Sequence, residues 1–274
     1  MGPARKPVVA GMFYPGTETG LKKELSELFH DIRDESNSIG VVSPHAGYIY
    51  SGATAARAIA SLKSVKSFVI LGPNHNSMGP KFALMRQGTW QTPLGNCKID
   101  PKLADSIECG FLEEDARVHA MEHSIEVQLP FLQHRFGAKF GFVPISVINL
   151  DFTDEFLSRC RELGKAIAKT VKGKEIGIIT SSDFSHYIPA GLAERIDRKA
   201  INSITKLDLK GFFSVLEKNN ASVCGYGPIA VLMAAAKQLG LKGRLLEYTN
   251  SGKATGSLDS VVGYAAIAFE QRLR

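Results

Sequence analysis

The sequence predicts an α/β protein of one domain, in which strands alternate with helices and run parallel to their neighbours. Three observations carry this expectation. Short apolar runs at residues 39–42, 67–71 and 175–181 are rich in Val and Ile and too short for buried helices, so they read as buried strands. Longer stretches with apolar residues at helical spacing lie between them. No internal repeat or linker-like segment divides the 274 residues, a length that suits one large α/β domain.

In chain order, Gly11-Met12-Phe13-Tyr14-Pro15-Gly16 is an aromatic turn, and Leu21, Leu25, Leu28, Phe29 and Ile32 form one face of a helix. The strand at 39–42 enters Ser43-Pro44-His45-Ala46-Gly47, with a small-residue helix expected over 53–62. The strand at 67–71 enters Gly72-Pro73-Asn74-His75, and residues 81–99 read as short strands around a turn-rich centre. Asp100-Pro101 starts a helix with a side-chain cap and a proline in the first turn. A helix is expected over 122–133, with Pro130 as an interruption, followed by a strand over 140–145 and a helix over 152–171. The strand at 175–181 ends in Ser182-Asp183-Phe184-Ser185-His186-Tyr187. Helices over 193–206, 209–219 and from Cys224-Gly225-Tyr226-Gly227-Pro228 to 238 precede closing strands at 244–248 and 260–269.

Composition narrows the setting. With 44% hydrophobic and 22% charged residues the chain is globular, and its net charge of +6 is spread along the sequence. A nucleic-acid partner would favour a basic stripe with interleaved aromatics, which is absent here. No apolar run reaches the roughly 20 residues of a membrane helix, so no membrane partner is expected. Residues 1–7 lack the apolar core of a signal peptide. The four cysteines show neither Cys-x-x-Cys pairing nor the density of a disulfide framework, which points to the reducing cytoplasm.

The chemistry lies at strand ends. Three buried strands each run into a polar loop carrying a histidine, namely His45, His75 and His186. Parallel neighbours bring such loops to one sheet edge, where α/β proteins bind ligands. Cys224 precedes a Gly-x-Gly-Pro turn and a helix, and a helix N-terminus favours the thiolate, so a lowered thiol pKa is expected. Imidazole with thiolate suits zinc, iron or copper rather than magnesium or calcium. Two histidines and one cysteine would leave coordination positions open, as a reactive metal requires.

Asp183 and His186 then form a second layer, the histidine as general acid or base and the carboxylate orienting an imidazole. Alternatively, Asp183 and Ser185 cap a helix beginning near Tyr187. His119-Ala120-Met121-Glu122-His123 fits the H-x-x-E-H pattern of inverted zinc peptidases. Its context argues against that reading. Residues 115–118 do not extend an amphipathic helix upstream, and Ser124 and Pro130 crowd it downstream. Glu122 and His123 could still reach the pocket by another route, whereas His30 and His134 fall on helix surfaces.

Taken together, these stretches resemble the Memo family, also called AmmeMemoRadiSam system protein B. The resemblance runs through Ala10-Gly11-Met12-Phe13-Tyr14-Pro15, Pro44-His45-Ala46-Gly47-Tyr48 and Gly72-Pro73-Asn74-His75. It continues through Glu122-His123-Ser124-Ile125-Glu126, Gln128-Leu129-Pro130-Phe131-Leu132, Ser181-Ser182-Asp183-Phe184-Ser185-His186-Tyr187, Cys224-Gly225 and Val261-Val262-Gly263-Tyr264. It implies a single three-layer αβα sandwich with a mostly parallel sheet, similar to class III extradiol dioxygenases, which use non-haem iron(II). It implies His45, His75 and Cys224 as metal ligands and His186 in the place of the acid–base histidine. Iron(II) is the implied metal, with copper or zinc as alternatives. The dioxygenases complete their iron site with a carboxylate where this chain has Cys224, so the resemblance implies no assignable reaction. Relatives in microbes are associated with a radical-SAM protein and an AMMECR-type domain.

Three functions follow as expectations. The first is metal-dependent redox chemistry on a small molecule in the cleft. The second is a binding module that takes a peptide or partner protein, with Tyr14, Tyr48 and Tyr50 lining the groove. The third is a hydrolase, using either a metal-bound water or Cys224 as nucleophile with His186 as base. His123, Asp183 and Tyr48 are the expected binding residues around the site.

Overall fold

The computed structural model describes residues 4–32 and 37–271; of the N-terminal segment 1–7, residues 1–3 lie outside that description. The chain begins with β1 (Ala4–Arg5), α1 (Glu18–Phe29), β2 (Ser38–Ser43), α2 (Tyr48–Ala60) and β3 (Ser67–Pro73). An excursion follows through β4 (Phe82–Leu84), β5 (Thr89–Thr92), β6 (Gly95–Ile99), α3 (Pro101–Asp105) and β7 (Glu113–Glu114). Two 3₁₀ turns (Ala116–His119 and Glu126–Gln128) lead to α4 (Leu129–Phe136), β8 (Gly141–Val147), α5 (Asp154–Val171) and β9 (Ile176–Ser181). The last part comprises β10 (His186–Ile188), α6 (Ala190–Thr205), α7 (Leu209–Asn219), α8 (Tyr226–Gln238), β11 (Leu241–Asn250), α9 (Gly252–Thr255) and β12 (Val261–Gln271).

The strands form one sheet with main order β1-β5-β6-β8-β3-β9-β2-β12-β10. Its centre, β8-β3-β9-β2, is parallel throughout, and the antiparallel pairings with β12 lie to one side. Parallel strands covered on both faces read as continuous apolar runs, and β2, β8 and β9 follow that rule. Successive residues still alternate between two cores. Val42, Val69, Leu71, Val143 and Ile178 face the core under α5–α8. Val41, Phe68, Ile70, Phe142 and Ile179 face the core under α1, α2 and α4. Fully burying one such side chain stabilises by about 1.5–3 kcal/mol, so both helical layers are held by many independent contacts.

Several elements differ from expectation in ways that matter for the site. Helix α2 starts at Tyr48 rather than near residue 53, because Tyr48 N donates to Phe13 O (2.7 Å) and Tyr48 Oη to Val127 O (2.7 Å), anchoring its first turn. The expected helix over 122–133 is shorter, and Pro130 sits in the first turn of α4 instead of interrupting it. There its missing N–H costs no hydrogen bond. No helix begins at Tyr187; the segment pairs with β12 as β10, and Tyr187 takes a left-handed φ of 58°. Among the described residues no helix is long and apolar enough to cross a membrane.

Candidate metal centre

The ends of β2, β3 and β9 bring His45, His75 and Asp183 together, and the turn before α8 adds Cys224. One donor atom each from His45, His75 and Cys224 lie within 4.8 Å of one another. His45 Nε2 is 3.2 Å from Cys224 Sγ. The His45 and His75 rings meet edge to face at 5.3 Å, and His123 stacks on His75 at 4.9 Å. His45 is buried, Cys224 half-buried and His75 open to the cleft.

Each imidazole is held by its Nδ1. His45 Nδ1 meets Ser181 Oγ at 2.9 Å, His75 Nδ1 meets Glu122 Oε1 at 2.9 Å, and His186 Nδ1 meets Ser222 O at 2.8 Å. Glu122 also accepts from the backbone N–H of His75 (2.7 Å) and of Ser124 (2.9 Å). A carboxylate or a carbonyl can only accept, so His75 and His186 carry their proton on Nδ1. Their Nε2 atoms are left for the cleft.

Packing around Cys224 is tight. Asp183 N donates to Cys224 Sγ (3.2 Å), Gly225 N donates to Ser182 Oγ (2.9 Å), and Asn149 Nδ2 donates to Cys224 O. A Cβ at Gly225 would lie 2.5 Å from Ser182 Cβ, so only glycine lets the turn close on β9. The Cys224 thiol is pushed up, not down as its place before α8 suggests: burial dominates, and the Asp183 carboxylate adds to it. Thiolate here therefore calls for a cation beside it, which a metal would supply.

The other charges are set by neighbours. Burial works against ionising Glu122, yet the His75 hydrogen bond and charge, the Ser124 N–H and His123 hold it at about 2. Burial disfavours the charged form of His75, but Glu122 and then Asp183 raise its pKa. Burial, then the nearby His123 and His75, keep His45 neutral, well below the usual histidine range. Asp183 is raised to about 6 by burial, opposed by the N–H of His45, which donates to its Oδ1 at 2.8 Å. Asp183 therefore orients the His45 loop and caps no helix, and Ser185 Oγ donates instead to Asp197 (2.6 Å).

These side chains open onto a cleft of about 420 Å³ lined by His45, His75, His123, Asp183 and His186 with Met12, Phe13, Tyr50, Tyr187 and Tyr264. Tyr48 is not on this wall. It is buried, with its hydroxyl spent on Val127 O, and the cleft tyrosine of that helix is Tyr50. In the H-x-x-E-H stretch the 3₁₀ turn ends at His119, and a bend over residues 120–121 separates it from Glu122 and His123. His119 is buried against Trp90 at 5.6 Å, and burial holds it neutral with a pKa of about 3. His123 lines the cleft and Glu122 stays buried behind His75, and the three form a second cluster able to hold a cation. Residues not foreseen as site residues include Ser181, at the end of a strand that leads to His186, Ser222, two residues before Cys224, and Gln128, which carries no local sign.

A family profile described as Memo-like protein matches residues 5–268. The chain belongs to the Memo family. A MEMO1 family protein of Methanosarcina barkeri is 44% identical over 270 residues, covering 97% of this chain and 100% of that one. Its counterpart in Methanopyrus kandleri is 41% identical over 285 residues, covering 97% and 99%. The crystal structure of an uncharacterized protein from Escherichia coli K12 shares the fold, with a TM-score of 0.55 and 12% identity over 84% of this chain and 98% of that one.

Proposed function

We propose that this Memo-family chain holds a single metal ion through His45 Nε2, His75 Nε2 and Cys224 Sγ, and performs metal-dependent redox chemistry on a small molecule or peptide in the cleft. The observation that carries this reading is the convergence of two imidazoles and a thiol to within 4.8 Å at the carboxyl ends of parallel strands. The donor set fits iron(II), the proposed occupant, and also copper or zinc. A bound redox metal would exchange electrons with the cleft ligand.

The chain's own groups do the rest. His186 lines the cleft with its ring fixed by the Nδ1–H bond to Ser222 O, and can exchange a proton with a bound ligand. Glu122 places an anion behind His75, and Asp183 fixes the His45 loop. Cytoplasmic placement and association with a radical-SAM protein and an AMMECR-type protein belong to the same proposal. A hydrolase using Cys224 and His186 gains less support, since the imidazole nitrogen in contact with Sγ is that of His45.

A second reading, docking of a peptide or protein segment, is favoured by one observation. Met12, Tyr187 and Tyr50 at the cleft mouth are 73%, 77% and 44% exposed. Anaerobic purification followed by metal analysis separates the two. About one iron per chain in wild type and loss of that metal in Cys224→Ala is the expected result. Undiminished metal in the variant overturns the ligand assignment. A metal-free wild type that co-purifies with a peptide supports docking.

A further inference from the structure

We propose that Ser181 and Gln128 are positioning residues that lock His45 in its Nδ1–H tautomer, so that its Nε2 lone pair always faces Cys224. This inference rests on the metal reading above, which makes that lone pair a ligand. Its basis is a buried polar network in which every hydrogen bond has a forced direction.

Ser43, Ser124, Gln128 and Ser181 are each 0% exposed. Buried polar groups cost stability unless they are bonded, and all four are. Ser181 Oγ has three neighbours: Ser124 O at 2.6 Å, Gln128 Nε2 at 3.0 Å and His45 Nδ1 at 2.9 Å. Gln128 Nε2 also lies 2.8 Å from Pro44 O, and Gln128 Oε1 lies 2.8 Å from Ser43 Oγ.

Two carbonyls settle the pattern, because a carbonyl oxygen can only accept. Pro44 O requires the amide nitrogen of Gln128 on its side, so that nitrogen donates to Ser181 Oγ as well. Ser124 O takes the single proton of the Ser181 hydroxyl. Ser181 Oγ has no proton left for His45 and must accept, so His45 Nδ1 carries the hydrogen. His45 Nε2, 3.2 Å from Cys224 Sγ, is left with a lone pair.

The strands make the arrangement rigid. Ser43 and Ser181 are register partners at the ends of β2 and β9, so the network is built on the same strand ends that carry the His45 and Asp183 loops. His75 and His186 reach the same tautomer through a carboxylate and a carbonyl, each of which can only accept. A serine hydroxyl can also donate, so at His45 alone the surrounding network has to remove that choice.

The test is nitrogen-15 histidine NMR of metal-free protein, with His45 assigned by His45→Gln, together with Co²⁺ titration followed by visible absorption. Wild type should show His45 as the Nδ1–H form. Ser181→Ala should shift His45 towards the Nε2–H form and weaken Co²⁺ binding about 10–100-fold, the usual scale for a lost partner of a ligand histidine. Ser181→Thr, which keeps the hydroxyl, should restore both. Ser43→Ala should change neither, since Pro44 O still fixes the Gln128 amide; a merely structural role would make the two alanine variants alike.

Wild-type His45 in the Nε2–H form overturns the inference, even if Ser181→Ala does not fold. So does Ser181→Ala that keeps the Nδ1–H form and binds Co²⁺ within twofold of wild type. A wild type with the Nδ1–H form that takes up no Co²⁺ supports the tautomer lock and overturns the metal reading.

Discussion

Glu122 and Glu126 are buried carboxylates four residues apart in one stretch, and they do different work. Glu126 holds the N-terminal segment on the core. It accepts from Arg5 Nη1 (2.7 Å), from the backbone N–H groups of Val8 (2.9 Å) and Val9 (3.1 Å), and from Tyr14 Oη (2.7 Å). Glu122 holds His75, by its backbone N–H and its ring. Residue type and burial are the same, so only the partners distinguish them. A permanent cation and backbone donors make a fixture, whereas an imidazole with a free Nε2 makes part of a site.

Substitutions at these carboxylates should differ in size and in what they disturb. Glu126→Gln leaves Arg5, whose side chain is 6% exposed, without its anion. Breaking a buried ion pair costs about 3–5 kcal/mol, so denaturant unfolding should show a loss of that size. Co²⁺ affinity of the folded protein should fall less than in the Glu122 variant.

A third carboxylate, Asp183, has no such cation. Burial raises it to about 6 from an unfolded value near 3.8. The folded state then binds the proton more tightly than the unfolded state, so stability falls as pH rises from about 4 to about 6 and is level above. At about 1.4 kcal/mol per pK unit the penalty in metal-free protein is at most about 3 kcal/mol. Asp183→Asn should therefore stabilise metal-free protein at pH 7 and leave it unchanged at pH 4. Melting curves at the two pH values check this, and equal gains at both would contradict it.

Glu122→Gln removes the anion behind His75 but can retain a hydrogen bond. Metal affinity should drop about 10–100-fold, with a smaller stability change than Glu126→Gln. Tyr48→Phe removes only the bond to Val127 O. A loss of about 1 kcal/mol in stability is expected, with no change in metal or ligand binding.

Much of this was legible in the sequence, for reasons that also mark its limits. The central strands read clearly because parallel strands are apolar on both faces, and their ends gave His45, His75 and His186. Cys224 was found by its place before a helix, but its thiol is governed by burial, a tertiary effect that local sequence does not contain. Tyr48 was misplaced because one residue on a helix decides which face a side chain takes; Tyr50 is the tyrosine on the cleft wall. The context of the H-x-x-E-H stretch argues against one helix, and the chain there is a 3₁₀ turn that ends at His119, packed on Trp90, followed by a bend that carries Glu122 to His75. Ser181 and Gln128 were invisible as site residues, since nothing local tells a buried hydroxyl beside a ligand from one in a core.

The most direct test of the metal centre is X-ray absorption of zinc-loaded wild type and Cys224→Ser. Wild type should show one sulfur scatterer at about 2.3 Å with imidazole nitrogens at about 2.0–2.1 Å, and the variant should lose the sulfur shell. A wild-type spectrum with nitrogen and oxygen scatterers alone would contradict it.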